Sequence, residues 1–99
     1  MLYTLFNSPL SCNFSLLLNF LKKNDDLLLI QDGILAGLKN SISIKKIIRI
    51  RKKMKFGIFG MNNDILARGL ENDISSEIIR IDYKNFVDLI IKNKKQIIW

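Results

Sequence analysis

The feature that most constrains this chain is the run Leu27-Leu28-Leu29-Ile30, introduced by Asp25-Asp26 and stopped by Gln31-Asp32-Gly33. Four apolar residues in a row leave no polar position for a solvent-facing side, so a strand built from them must be covered on both faces. Parallel sheets receive that cover, because a parallel connection is a crossover that normally carries a helix. The remaining sequence should therefore supply more strands and the helices between them.

It does so in order. Residues 1–6 read as a first strand. Ser8, Pro9 and Ser11 then provide turn and helix-start chemistry. Phe14, Leu17, Leu18 and Leu21 recur at the spacing that lays one apolar stripe along a helix, and Lys22-Lys23 suit its negative end. After the central run, Ile34-Leu35-Ala36-Gly37-Leu38 has a short helical look. From Ile44 to Lys55 apolar and basic residues mix without a sustained period of 3.6 or 2, and the pattern is compatible with helix, strand or loop.

Lys55-Phe56-Gly57-Ile58-Phe59 reads as a third strand, with Gly60 opening the exit loop. Asn62 or Asn63 is expected to cap a short helix through Asp64, Ile65, Leu66 and Arg68, which Gly69 ends as the left-handed residue. Ile74 to Glu77 return toward the sheet, Glu77-Ile78-Ile79-Arg80-Ile81 reads as a fourth strand, and Asp82 caps a helix with a broad apolar stripe of Phe86, Val87, Leu89, Ile90 and Ile91. Ile97-Ile98-Trp99 closes as a fifth strand. The expected fold is a single α/β domain over residues 1–99, with a mainly parallel sheet of about five strands and helices on both faces.

Composition limits the chemistry. The chain of 99 residues has no histidine and one cysteine, Cys12. Ser-His and Cys-His nucleophile pairs, histidine metal sites, internal disulfides and cysteine-cluster metal sites all require residues that are absent. No glycine-rich phosphate loop appears. No catalytic, cofactor-binding or metal-ligating residue is assigned. No apolar run approaches the roughly 20 residues of a membrane-spanning helix, and the start Met1-Leu2-Tyr3-Thr4 lacks signal-peptide character, so a cytoplasmic location is expected.

The net charge of +7 admits a polyanion-binding reading. Lysine, isoleucine and asparagine nevertheless supply 39 of the 99 residues, the imprint expected of an AT-rich coding sequence on permissive surface positions. In a parallel sheet, functional groups gather beyond the carboxyl ends of the strands. That edge should hold Asn7-Ser8-Pro9, Gln31-Asp32-Gly33, Gly60-Met61-Asn62 and Asp82-Tyr83. Asp32 and Asp64 have no partner base or ligand in view and read as turn and capping residues.

Taken together, the opening Met1-Leu2-Tyr3-Thr4-Leu5 leading to Asn7-Ser8-Pro9, the segment Leu27 to Gly33, the segment Asn63-Asp64-Ile65-Leu66-Ala67-Arg68-Gly69-Leu70, Ile81-Asp82-Tyr83 with Phe86-Val87, and the terminal Trp99 resemble the DsrH-like, or TusB, family across almost the whole chain. That resemblance implies a small α/β subunit of a heterohexameric sulfur-relay complex, a dimer of heterotrimers with TusC-like and TusD-like subunits. Such a complex takes sulfur from a TusA-like carrier and passes it toward a TusE-like carrier for thiolation of the tRNA wobble uridine. The persulfide is expected on the TusD-like partner, and this chain is expected to touch tRNA only indirectly and to have no enzymatic activity of its own.

Two features depart from the family pattern. The basic stretch Lys45 to Lys55 is longer and more positive, which opens an alternative reading as an RNA-binding module. Cys12 lies near the expected start of the first helix, a little earlier than the cysteine some relatives carry. There a helix dipole would lower its pKa and suit it to carry sulfur; the plainer reading is a small residue at a helix start.

Overall fold

The computed structural model describes residues 1–99. Five strands, β1 (Leu2–Leu5), β2 (Asp26–Leu29), β3 (Gly57–Met61), β4 (Ile79–Ile81) and β5 (Gln96–Ile98), form one sheet in the order β4-β3-β2-β1-β5. Every pairing is parallel. Leu27 to Leu29 of the central run form the middle strand β2 together with Asp26, and all four residues are buried, as the absence of polar alternation requires of the leucines; Ile30 lies just beyond the strand and is half-buried.

The sheet grows in one direction from β1 to β4 and then reverses to place β5 on the far side of β1. Right-handed crossovers turn that reversal into a change of face. Helices α1 (Phe14–Phe20), α2 (Ile42–Lys53) and α3 (Asn62–Ala67), with a 3₁₀ helix over Gln31–Gly37, cover one face; α4 (Tyr83–Lys92) covers the other. The larger core joins Tyr3, Leu5, Leu27, Leu29 and Ile58 of the strands to Phe14, Leu17, Ile34, Ile44, Ile47 and Ile65. The smaller core holds only Leu2, Leu28, Met61, Ile81 and Leu89 fully buried. Helices lie on both faces, but unequally.

Several boundaries differ from those expected of the sequence, for physical reasons. Ser8, Pro9 and Ser11 form a separate 3₁₀ turn (Pro9–Ser11), and α1 begins only at Phe14, capped by Asn13, whose side chain accepts from the Leu16 N–H. The ambiguous segment is helical, capped by Ser41, whose hydroxyl accepts from the Ile44 N–H at 3.1 Å. Gly60 does not open a loop. It pairs with Leu29 and Arg80 inside β3, which runs to Met61, and a Cβ there would lie 2.9 Å from the Ile78 side chain, which would have to shift. No asparagine side chain caps α3; Met61 occupies that position and Asn62 is already helical. β4 is shorter than Glu77 to Ile81, since Glu77 and Ile78 lie in a turn closed by the Ile78 N–H donating to the Ser75 carbonyl at 3.1 Å.

α4 is held at both ends. Asp82 and Asn85 exchange side-chain-to-backbone bonds as a capping box. At the other end Asp26, 2% exposed, accepts from Lys92 Nζ at 3.1 Å and Asn93 Nδ2 at 2.9 Å. The carboxylate has room because its register partner is Gly57, where a Cβ would lie 2.6 Å from Asp26 Oδ1. One buried acid therefore ties the central strand to the only helix on its face.

Candidate functional site

Of the segments expected at the carboxyl edge of the sheet, Gly60-Met61-Asn62 is no loop but the direct junction of β3 and α3, and several polar groups of the others are used on each other. Gln31 adopts a left-handed conformation with φ 52°, and its N–H donates to Asp64 Oδ2 at 2.8 Å. Arg68 donates to Asp32 Oδ1 at 3.0 Å and lies 3.8 Å from Asp64. Asp64 thus anchors the neighbouring loop as well as its own helix, and Asp32 is a partner of Arg68. Asn7 Nδ2 donates to the carbonyl of Trp99 at 2.8 Å. Trp99 continues the β1 pairing through its N–H to the Thr4 carbonyl, donates Nε1 to the Asn13 carbonyl at 3.1 Å, and packs edge-on against Phe20. These contacts lock loops together. Asp82 and Tyr83 stand apart from them, at the start of α4.

Cys12 is half-buried beyond the 3₁₀ turn and before the cap of α1. Its Sγ lies 3.5 Å from the Ser8 carbonyl and can donate its proton there. Burial pushes the thiol pKa up, opposite to the lowering expected from a place in a helix's first turn. Because the thiolate is the reacting form, alkylation of Cys12 by iodoacetamide should rise with pH at a higher midpoint in the native chain than in the urea-unfolded chain, over about pH 7 to 10. A lower native midpoint would restore the case for a sulfur carrier.

The surface that the fold leaves incomplete lies on the α4 side. One helix of ten residues spans a five-stranded sheet, and its apolar stripe is wider than its contact. Leu89 is buried and Phe86, Val87 and Ile90 are half-buried, but Ile91 is 76% exposed. Tyr83, Val87 and Ile91 recur every four residues as a stripe along the helix, with Tyr83 edge-on to Phe86. On the same side of the sheet Ile98 of the edge strand β5 is 74% exposed, and Ile79 of the opposite edge strand is also exposed. Between α4 and the β3–β4 edge runs a cleft of about 310 Å³ lined by Phe59, Ile79, Ile81 and Leu89 together with Asn85 and Asp88. Scattered apolar residues on a surface are ordinary; a face carrying several on one helix and both edge strands is a candidate interaction surface. From the sequence the stripe of α4 reads as packing alone, and only the sheet order reveals that nothing else covers this side.

Relatives match along the whole chain. Protein TusB of Buchnera aphidicola subsp. Acyrthosiphon pisum is 44% identical over 99 residues, covering all of both chains. Protein TusB of Yersinia pestis is 38% identical over the same span. Among solved structures, the crystal structure of the ychN protein from E. coli superposes with a TM-score of 0.72 at 12% identity, covering 99% of this chain and 97% of that one. The solution structure of protein Tm0979 from Thermotoga maritima gives 0.66 at 24% identity, covering 96% and 97%. These two establish the fold independently of sequence. The family described as DsrH like protein matches residues 7–96, nearly the full length, and the chain belongs to this DsrH-like family, in agreement with its sequence motifs.

Proposed function

We propose that this chain is a non-catalytic structural subunit of a sulfur-relay assembly, docked through its α4 face onto α/β partner subunits of the TusC-like and TusD-like kinds. The observation that carries the reading is the unequal cover of the sheet: a face with one helix and exposed Tyr83, Ile91 and Ile98 is what a subunit presents when a neighbour completes its core. Membership of the DsrH-like family supports the relay. A chain this small buries only about 60 to 65% of its unfolded surface, so covering more apolar area in an assembly adds to its stability.

In this reading sulfur arrives from a TusA-like carrier, resides as a persulfide on the TusD-like partner and leaves toward a TusE-like carrier for thiolation of the tRNA wobble uridine in the cytoplasm. This chain contributes position, fixing the orientation of the partner's reactive loop. The raised pKa and thiol–carbonyl contact of Cys12 support placing the reactive sulfur elsewhere.

Native mass spectrometry of the chain co-expressed with its two partners tests the proposal. The expected result is a mixed hexamer with two copies of each subunit, retained in a Cys12→Ser variant that still supports thiolation. Failure to associate, or loss of thiolation in Cys12→Ser with assembly intact, would sink it.

A further inference from the structure

We infer that the outer surface of α2 grips the phosphate backbone of RNA, so that this subunit holds tRNA directly while the sulfur chemistry takes place on a partner. The choice of tRNA rests on the proposed relay function; the binding surface itself rests on the following placement of charge.

From Gly33 to Asn63 the chain has no acidic residue and eight basic ones, more positive charge than the net +7 of the entire molecule. Folding concentrates it further. Lys45, Lys46, Arg49, Lys52 and Lys53 are all exposed, and at 3.6 residues per turn they fall within an arc of about 120° on α2. Ile44 and Ile47 occupy the buried side, and Arg51, outside the arc, pairs with Glu77.

None of the five arc cations has an ion-pair partner. The carboxylates that form ion pairs are engaged elsewhere: Asp25 with the N-terminus, Asp26 with Lys92, Asp32 and Asp64 with Arg68, Glu77 with Arg51. The neighbouring α1 has no acid either. Between the two helices an open groove of about 190 Å³ sets Ser15 and Asn19 opposite Lys46 and Arg49, neutral hydrogen-bond donors facing cations, a combination suited to a phosphate oxygen.

Drift toward lysine would scatter charge over every permissive position. It does not account for five unpaired cations on one arc beside an acid-free helix. Residues 45 to 53 extend about 12 Å along the helix axis, long enough to face more than one phosphate of a nucleic-acid strand. A patch of this kind, carried on one helix, suits a phosphate backbone, which repeats its charge at a regular interval. The contacts would be independent of base sequence, since they go to phosphate oxygens and carry no sequence information.

The test measures binding of unfractionated tRNA by fluorescence anisotropy from about 50 to 200 mM salt, with the chain alone and in its co-purified assembly. Two variants remove equal charge: Lys45→Gln/Lys46→Gln/Arg49→Gln on α2, and Lys23→Gln/Lys94→Gln/Lys95→Gln, exposed lysines outside both α2 and α4. The α2 triple is expected to weaken binding about tenfold or more and to reduce the salt slope by about 2 to 3, at roughly 0.7 to 0.9 for each phosphate left without its cation. The other triple should change affinity less than about threefold.

Equal loss in both triples would mean diffuse attraction and overturn the inference, as would no binding by the unaltered chain at low salt. If the α2 triple instead releases the partner subunits, α2 is a protein contact and the RNA inference fails. Assembly without tRNA binding removes this inference alone; tRNA binding without assembly removes the relay reading alone.

Discussion

A Gly33→Ala chain is expected to melt about 12 °C or more below the parent, a loss of about 3 kcal/mol at roughly 4 to 8 °C per kcal/mol for a domain of this size. The reason is the closeness of two backbones. A Cβ at Gly33 would lie 1.9 Å from the carbonyl oxygen of Leu5 and 2.7 Å from its carbon. Leu5 ends β1, and the same carbonyl accepts from the Ile30 N–H at 3.0 Å in the join between β1 and β2. The obstacle is therefore a fixed hydrogen-bonded carbonyl, with no flexible side chain to yield. To restore ordinary contact the 3₁₀ helix and β1 must part by about 1.5 Å, which loosens Ile34 from the larger core.

Gly69→Ala is the informative comparison. Gly69 has φ 65° and open space, with no atom within 4 Å of where a Cβ would sit, so its substitution costs only the left-handed backbone term of about 1 kcal/mol. Thermal melts by circular dichroism should rank Gly33→Ala well below Gly69→Ala. Near-equal melting temperatures would mean that the approach at Gly33 is soft.

Gly33 and Gly60 show where the sequence is legible and where it stops. Buried strands without polar alternation, such as Leu27 to Leu29, announce a parallel sheet. The strand-helix alternation then follows, as do the Asp82 cap and the left-handed Gly69. A glycine, however, does not state why it is small. In the sequence Gly33 reads as a turn residue and Gly60 as a loop opening, yet each is small because a backbone or a side chain from a distant segment approaches it.

α2 is illegible for a related reason. Its buried positions are few, Ile44 and Ile47, with Ile48 and Ile50 half-buried, because the helix lies on the rim of the larger core. Periodicity there is diluted by apolar positions that the sheet does not require. The α4 face cannot be read locally at all. A wide apolar stripe is normal for a helix with neighbours on both sides, and only the reversal of strand order, β4-β3-β2-β1-β5, leaves α4 alone on its face.

That isolation underlies the second large effect. Ile98→Asp or Ile91→Asp should weaken association with the partner subunits about a hundredfold or more while leaving the chain folded. At 74% and 76% exposure neither side chain contributes much to the chain's own core, and such surface changes usually fall within about 0.5 kcal/mol of neutral. Within an interface the balance is different. The substitution forfeits about 1.5 to 3 kcal/mol of apolar burial and forces a carboxylate out of water, so a loss of at least about 2.8 kcal/mol, two decades of affinity, is expected.

Ile42 supplies the control, because it is also 74% exposed but lies on α2, on the opposite face. Ile42→Asp makes the same chemical change at the same exposure, and it should leave the proposed assembly intact while reducing attraction for tRNA. Native mass spectrometry of all three variants, with melting temperatures measured on the isolated chains, separates the faces. Dissociation in Ile98→Asp and Ile91→Asp with unchanged melting places the partner on the α4 side. Dissociation in Ile42→Asp alone would move the subunit contact to α2, and the unequal cover of the sheet would then be a property of the monomer without a role in assembly.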